Sequence, residues 1–213
     1  MVTFVDMLEG YRRFRTTGWA NQRARWDDLK DGQSPRIMVI ACSDSRVDPT
    51  EIFDTNPGEI FVVRNVAALV PPFETNPGRH GVSAAVEFAV QILGVEEILV
   101  MGHGLCGGCS AALTQDLHGA PPGEGGFIAS WISMLDEARA RVVAIHGDDR
   151  GRVAGRAMEQ EAVKVSIANL RTFPWIAEKE EAGHLAIKGA FFAISDGVLH
   201  ILDETSGTFA PYA

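Results

Sequence analysis

Ile37-Met38-Val39-Ile40-Ala41-Cys42-Ser43-Asp44-Ser45-Arg46 decides how this chain folds. An unbroken apolar run is the pattern of a strand buried on both faces. Here it ends abruptly in a thiol, a carboxylate and a guanidinium spaced two residues apart. A second run ends in the same way, Ile98-Leu99-Val100-Met101-Gly102-His103-Gly104-Leu105-Cys106-Gly107-Gly108. In an open parallel sheet, ligands gather beyond the carboxyl ends of strands, near a reversal of strand order. Cys42 and His103 each fall at such an end.

Outward from these runs, strand and helix patterns alternate. Residues 2–30 read as helical, with Phe4, Met7, Leu8, Tyr11 and Phe14 at three- and four-residue steps and Gly18 as punctuation before Trp19, Trp26 and Leu29. These aromatics favour a helix packed on its own domain over an arm embracing another chain. Asp31 to Pro35 is a turn, and the first strand covers Arg36 to Ala41. A second strand, Glu59 to Arg64, follows Asn56-Pro57-Gly58, and an irregular loop holds Pro71, Pro72, Pro77 and Gly78. A helix over Gly81 to Leu93 leads to the third strand, Glu97 to Met101. Helices are expected over Ser110 to Leu117, Ile128 to Ile145 and Val153 to Arg171, with a Pro/Gly loop from Ala120 to Gly126. His184 to Leu202 alternates as strand and turns at Ser195-Asp196-Gly197, a hairpin signal. The expected fold is α/β, a mostly parallel central sheet with helices on both faces. With no repeat and no linker, residues 1–213 read as one domain.

The totals exclude several function classes. Nineteen basic against 28 acidic residues give a net charge of −9, which argues against a nucleic-acid binder. No apolar run is long enough to cross a membrane, and Met1 to Arg15 lacks the apolar core of a secretory signal. Three cysteines, Cys42, Cys106 and Cys109, do not make a disulfide framework, and a cytoplasmic location is expected.

Cys42, His103 and Cys106 offer S, N and S donors, a set that suits zinc, and three protein ligands leave a fourth position open for catalysis. Either motif alone is weak, since a buried cysteine is commonly inert packing. Cys106-Gly-Gly-Cys109 also fits a redox pair, but that reading leaves Cys42, Asp44 and His103 without work. A four-ligand structural zinc using Cys109 is a further rival; Cys109 reads better as a small apolar helix residue. A phosphate-cradling cysteine loop fails on spacing, because Arg46 follows Cys42 by four positions and no glycine intervenes.

At these residues the chain resembles the β-class carbonic anhydrases. The match comprises Ala-Cys-Ser-Asp-Ser-Arg-Val at 41–47, Pro-Gly-Glu-Ile-Phe-Val-Val-Arg-Asn at 57–65 and Gly-His-x-x-Cys-Gly-Gly at 102–108. It extends over nearly the whole chain. The resemblance implies one zinc per subunit on Cys42, His103 and Cys106, with Asp44 and Arg46 as a dyad beside it. It also implies a homodimer or dimer of dimers, with the helical arm at 1–31 packing on a partner subunit, which reverses the self-packed reading. Within the family, a plant-like pattern has a glutamine nine residues before the motif cysteine, where Gln33 stands, as a bicarbonate ligand. The alternative pattern, with a closed state, has a tryptophan and a tyrosine where this chain has Val39 and Phe88. The open-site, plant-like pattern is therefore expected. Phe88 and Gly104 depart from the tyrosine and the serine or threonine found in many relatives.

The implied reaction is reversible hydration of carbon dioxide to bicarbonate and a proton. Zinc lowers the pKa of a bound water, Asp44 orients the resulting hydroxide, and Arg46 holds Asp44 as a bidentate partner. Phe61, Val66, Phe88 and Leu93 are candidates for an apolar substrate pocket. Hydrolysis of carbonyl sulfide or carbon disulfide on the same scaffold is the enzymatic alternative. A non-catalytic zinc-folded binding module is a third reading, for which the dyad and Gln33 have no use.

Overall fold

The computed structural model describes residues 1–212. The chain divides into two compact units, the first Met1–Ser34 and the second from Pro35 onward. In the first, α1 (Phe4–Arg13) opens on a capping box. Thr3 Oγ1 accepts from the Asp6 amide at 3.3 Å while Asp6 Oδ2 accepts from the Thr3 amide at 2.7 Å. Helical structure runs on through a wide turn at Phe14–Gly18 and a short piece at Trp19–Asn21. Gly18 therefore does not punctuate; its carbonyl accepts from the Gln22 amide at 3.2 Å. The break falls at Gln22 (φ −105°, ψ 23°), and α2 (Arg23–Leu29) follows. The guanidinium groups of Arg15 and Arg23 both lie over the Trp19 ring, 4.0 and 4.5 Å from its centre.

The second unit is built on a six-stranded sheet in the order β2-β1-β3-β4-β5-β6. Its strands are β1 (Ile37–Cys42), β2 (Ile60–Asn65), β3 (Glu97–His103), β4 (Ala186–Ala193), β5 (Val198–Asp203) and β6 (Thr208–Pro211). β2, β1, β3 and β4 are parallel, and β5 and β6 are antiparallel additions. From β1 the chain goes out to β2 on one side and then returns to β3 on the other. The strand order reverses at β1, so Cys42 and His103 leave the sheet at the switch point.

Seven helices accompany the sheet: α3 (Pro49–Ile52), α4 (Gly81–Glu87, prolonged by a wide turn Phe88–Leu93), α5 (Gly107–Thr114), α6 (Gly126–Ile132), α7 (Asp136–His146), α8 (Arg152–Leu170) and α9 (Pro174–Glu181), among the described residues. Period-two alternation sends Met38, Ile40, Ile98 and Val100 into a core with Val86, Val90, Val163, Ile167 and Ile176. Val39, Ala41, Met101 and Ala190 form a smaller cluster on the opposite side, joined by Ile52 and Phe53. A third cluster surrounds Cys42, Cys106 and Cys109 with residues of α5, α7 and α8. No helix among the described residues is long and apolar enough to cross a membrane.

Several expected boundaries move. α5 starts at Gly107 instead of Ser110, with Cys106 as its N-cap, and it ends where Gln115 turns left-handed (φ 60°). Within that helix position 108 requires glycine, because a Cβ there would stand 2.7 Å from Val66 Cγ1 and 3.1 Å from Ala67 Cβ. The helix expected over 128–145 is broken by a tighter turn at Ser133–Leu135. α9 was not foreseen, although Pro174 at its first position is a start signal. Nor was β6, a four-residue strand held by its pairing with β5. The C-terminal hairpin is thus a three-stranded extension.

Candidate metal centre

Each strand delivers its donor for a local reason. β1 pairs through Cys42 with Asn65 of β2, and the Ser43 amide then donates to the Asn65 carbonyl at 2.9 Å. β3 continues to His103, two residues further than its apolar pattern indicates, because it pairs with Phe192 of β4. Cys42, His103 and Cys106 are all buried, and one donor atom from each lies within 4.8 Å of the others. The two Sγ atoms are 4.0 Å apart. A tetrahedral zinc at about 2.3 Å from each thiolate would hold them roughly 3.8 Å apart.

His103 Nδ1 lies 2.9 Å from the Gly104 carbonyl, which makes it the protonated nitrogen and leaves the Nε2 lone pair bare. That Nε2 is buried and has no hydrogen-bond partner among the described residues. A buried orphan nitrogen aimed at two thiols is what a metal would complete. Burial lowers the His103 pKa, but Cys42, the Gly104 carbonyl and Asp44 together outweigh it and raise it.

The dyad stands beside this set. Arg46 Nε donates to Asp44 Oδ1 at 2.9 Å and Nη2 to Oδ2 at 2.7 Å, and the Arg46 amide adds a third bond to Oδ1 at 3.0 Å. Arg46 foremost holds the Asp44 carboxyl far below the usual carboxylate range, so it stays ionised and accepts only. Asp44 Oδ2 is 3.9 Å from His103 Nε2.

Two residues to which sequence reasoning assigns no role hold this loop; Arg64 counts there only toward the closed-state pattern, which it does not complete by itself. Arg64 Nε donates to the Cys42 carbonyl at 2.8 Å, Nη2 to the Asp44 carbonyl at 2.6 Å and Nη1 to Asp48 at 2.9 Å. Glu159 of α8 accepts from the Cys106 amide at 3.0 Å, and burial pushes its carboxyl up. Arg64 lies within the motif at 57–65, at the end of an apolar strand pattern, whereas Glu159 stands in the run Glu159-Gln160-Glu161 and carries no such signal.

Of the other candidates, Val66 stands next to the donors, after Asn65 and against Gly108, and the rest stand elsewhere. Phe61 and Phe88 meet, with ring centres 5.9 Å apart. Phe61 is level with Met38, four residues from the level of Cys42, or about 13 Å along the strands. The structure thus pairs these rings with each other and not with the donors of their own chain. Leu93 packs on the core. Val66 follows β2, is partly exposed, and accepts through its carbonyl from Trp131 Nε1 at 2.8 Å. Gln33 is exposed near the end of the first unit.

With the site described, comparison with known proteins is direct. A family model described as carbonic anhydrase matches residues 37–199. Beta carbonic anhydrase 3 of Arabidopsis thaliana is 33% identical over 204 residues, covering 94% of this chain and 78% of the relative. Beta carbonic anhydrase 5, chloroplastic, of the same plant is 34% identical over 193 residues, 91% of this chain and 62% of its own length. Among solved structures, the β-carbonic anhydrase CcaA matches with a TM-score of 0.88 at 29% identity, over 97% of this chain and 91% of that one. The chain belongs to the β-class carbonic anhydrases. It is an enzyme of the lyase type, a carbonate dehydratase, and the mixed sheet flanked by helices is that of its relatives.

Proposed function

We propose that this chain catalyses the reversible hydration of carbon dioxide with one zinc ion held by Cys42, His103 and Cys106. The observation that carries this is the bare, buried His103 Nε2 facing two thiols beside an ionised Asp44. When bound, zinc supplies Lewis acidity, which ionises water near neutral pH and leaves one coordination position for it. Asp44, an obligate acceptor, takes a hydrogen bond from the attacking oxygen and so turns its lone pair toward the carbon of the substrate. Arg46 fixes that carboxylate in one orientation. Engagement of both Asp44 oxygens by Arg46 supports the open arrangement, in which the fourth metal position is free for water.

Gln33 is assigned to a bicarbonate oxygen, and Phe61, Val66 and Phe88 to the apolar wall around carbon dioxide. Because Phe61 and Phe88 lie far along the strands from their own Cys42, they can wall a neighbouring subunit's site better than their own. That favours a homodimer or a dimer of dimers, with the helices of residues 1–31 packing on the partner. Two β-carbonic anhydrases from the filamentous ascomycete Sordaria macrospora are described as tetrameric; one aligns over 99% of this chain at a TM-score of 0.77 and 28% identity. A cytoplasmic location is part of the same proposal.

Stopped-flow hydration of carbon dioxide, with zinc content measured alongside, tests the assignment. The wild type is expected to hold one zinc per chain and to turn over. Asp44→Ala is expected to keep its zinc and lose roughly 100-fold or more in kcat. A zinc-loaded wild type without hydration activity would overturn the proposal.

A further inference from the structure

One peptide group in the site is gripped at both ends. The Leu105 carbonyl accepts from Arg46 Nη2 at 3.1 Å, and the Cys106 amide of the same peptide donates to Glu159 Oε1 at 3.0 Å. Neither grip is local, since Arg46 follows β1 and Glu159 stands on α8. The peptide lies between the end of β3 and the start of α5, where no ladder or helix bond fixes it. Leu105 has φ 59°, in the left-handed region that a bulky residue occupies only when its surroundings impose it. Glu159 is 6% exposed, with His103, when protonated, and Arg156 as the positive charges that act on it from a distance. A carboxylate so buried needs a reason to be there, and backbone amides of this loop, Cys106 first and Leu105 beside it, are what hold it.

We propose that Glu159 is a positioning residue of the metal centre. With Arg46 it clamps the Leu105–Cys106 peptide and so sets the direction in which the Cys106 thiol leaves the backbone. The guanidinium that orients Asp44 is the same one that holds the carbonyl end of this peptide. Ligand and dyad are therefore set by one chain of groups: Asp44, Arg46, the 105–106 peptide and Glu159. Both ends of the peptide dipole are met in the favourable sense, the Arg46 cation at the oxygen and an acceptor oxygen of Glu159 at the hydrogen. The inference rests on the metal reading of Cys106.

Glu159 also lines a cleft of about 550 Å³ with Gly104, Cys106, Arg156 and Phe191. Truncation at 159 therefore opens onto existing space instead of leaving a closed void. The test uses the purified full-length chain with Glu159→Ala, Glu159→Gln and Glu159→Asp. Zinc affinity is read by chelator competition, the Cys106 amide by hydrogen exchange, and kcat and KM by stopped flow. Ala and Asp, which cannot reach the amide, are expected to weaken zinc roughly 10- to 100-fold. They should also speed exchange at Cys106 and lower kcat with KM unchanged. Gln keeps an acceptor at the same reach and is expected to stay close to wild type in all three. Should Ala fail to fold, the Gln and Asp variants decide. A folded Ala variant with wild-type zinc affinity and Cys106 exchange would overturn the clamp. So would Asp behaving as wild type while Gln does not, because charge and not reach would then matter. A wild type that takes up no zinc overturns the metal reading itself, a separate result.

Discussion

In the metal-free chain the Cys42 thiol is pushed up to about 12, first by the hydrogen bond it shares with Cys106 and then by burial. Cys106 is also pushed up to about 12, chiefly by Cys109, with Cys42 acting in the opposite direction and burial reinforcing the rise. The ligand form is the thiolate, so zinc must displace both protons. The free state binds these protons and the loaded state does not, so raising the pH favours loading. Zinc affinity is expected to rise roughly 100-fold per unit between pH 8 and 9, two protons per ion. Chelator competition at several pH values checks this, and a flat profile would contradict the donor set. In the proposed zinc site the same two thiolates would neutralise the metal's formal charge and weaken it as a Lewis acid relative to three neutral imidazoles. Turnover is therefore expected to rise from pH 7 to 9; a flat or falling profile would count against it. Cys42, Asp44, Arg46, His103 and Cys106 were legible in the sequence because each hangs from the end of an apolar run. The roles of Glu159 and of Arg64, the latter present in the motif at 57–65, were not, because their partners are backbone groups 53 and 20 to 22 residues away. No spacing rule reaches that far.

The elements that carry these residues are set by close approach. Gly108 lets the first turn of α5 rest on the segment after β2, where Ala67 and Ala68 are both left-handed (φ 64° and 54°). Gly108→Val is expected to cost about 1–3 kcal/mol, with zinc loss preceding global unfolding, as thermal melts with and without zinc would show. β3 meets α8 in a similar way, for a Cβ on Gly102 would stand 2.6 Å from Val163 Cγ2. The parallel strands were legible because burial on both faces demands continuous apolar runs. α9 and β6 were not, because they are too short, eight and four residues, to show a period, and exist through tertiary packing and pairing. α9 is tied back by Arg171 at the end of α8, which binds Glu180 at 2.7 Å and Glu204 at 2.7 Å. Arg171 holds the Glu180 carboxyl below its usual value of 4.5. The folded state thus binds this proton less readily than the unfolded state. The stabilisation is present above about pH 4.5 and is lost as pH falls through the lower folded value. Glu180→Gln is expected to cost about 1 kcal/mol at neutral pH and to flatten the acid limb of stability below 4.5. Urea melts from pH 3 to 7 test it; an unchanged acid limb would assign the tie no weight.

At the scale of the whole molecule, the first unit poses a question that the chain alone does not answer. α1 has ten residues, and helices of that length are marginal in water without a surface to pack on. Yet none of its residues is buried, and Phe4, Met7, Leu8 and Tyr11, spaced by three and four, all stand exposed. An apolar stripe of this kind is the mark of a docking face. The net charge of −9 opposes unspecific association, so the stripe calls for a specific partner. A second copy of the chain is the partner consistent with the positions of Phe61 and Phe88, whose wall lies away from their own donors. The wild type is accordingly expected to run as a dimer or tetramer by light scattering. Leu8→Glu combined with Tyr11→Glu is expected to shift the population toward monomer. Because Phe61 and Phe88 of the proposed substrate wall come from another subunit, carbon dioxide hydration should fall in step with dissociation while zinc stays bound to each chain. A variant that dissociates yet keeps full turnover would separate assembly from catalysis and place the whole substrate pocket within one chain.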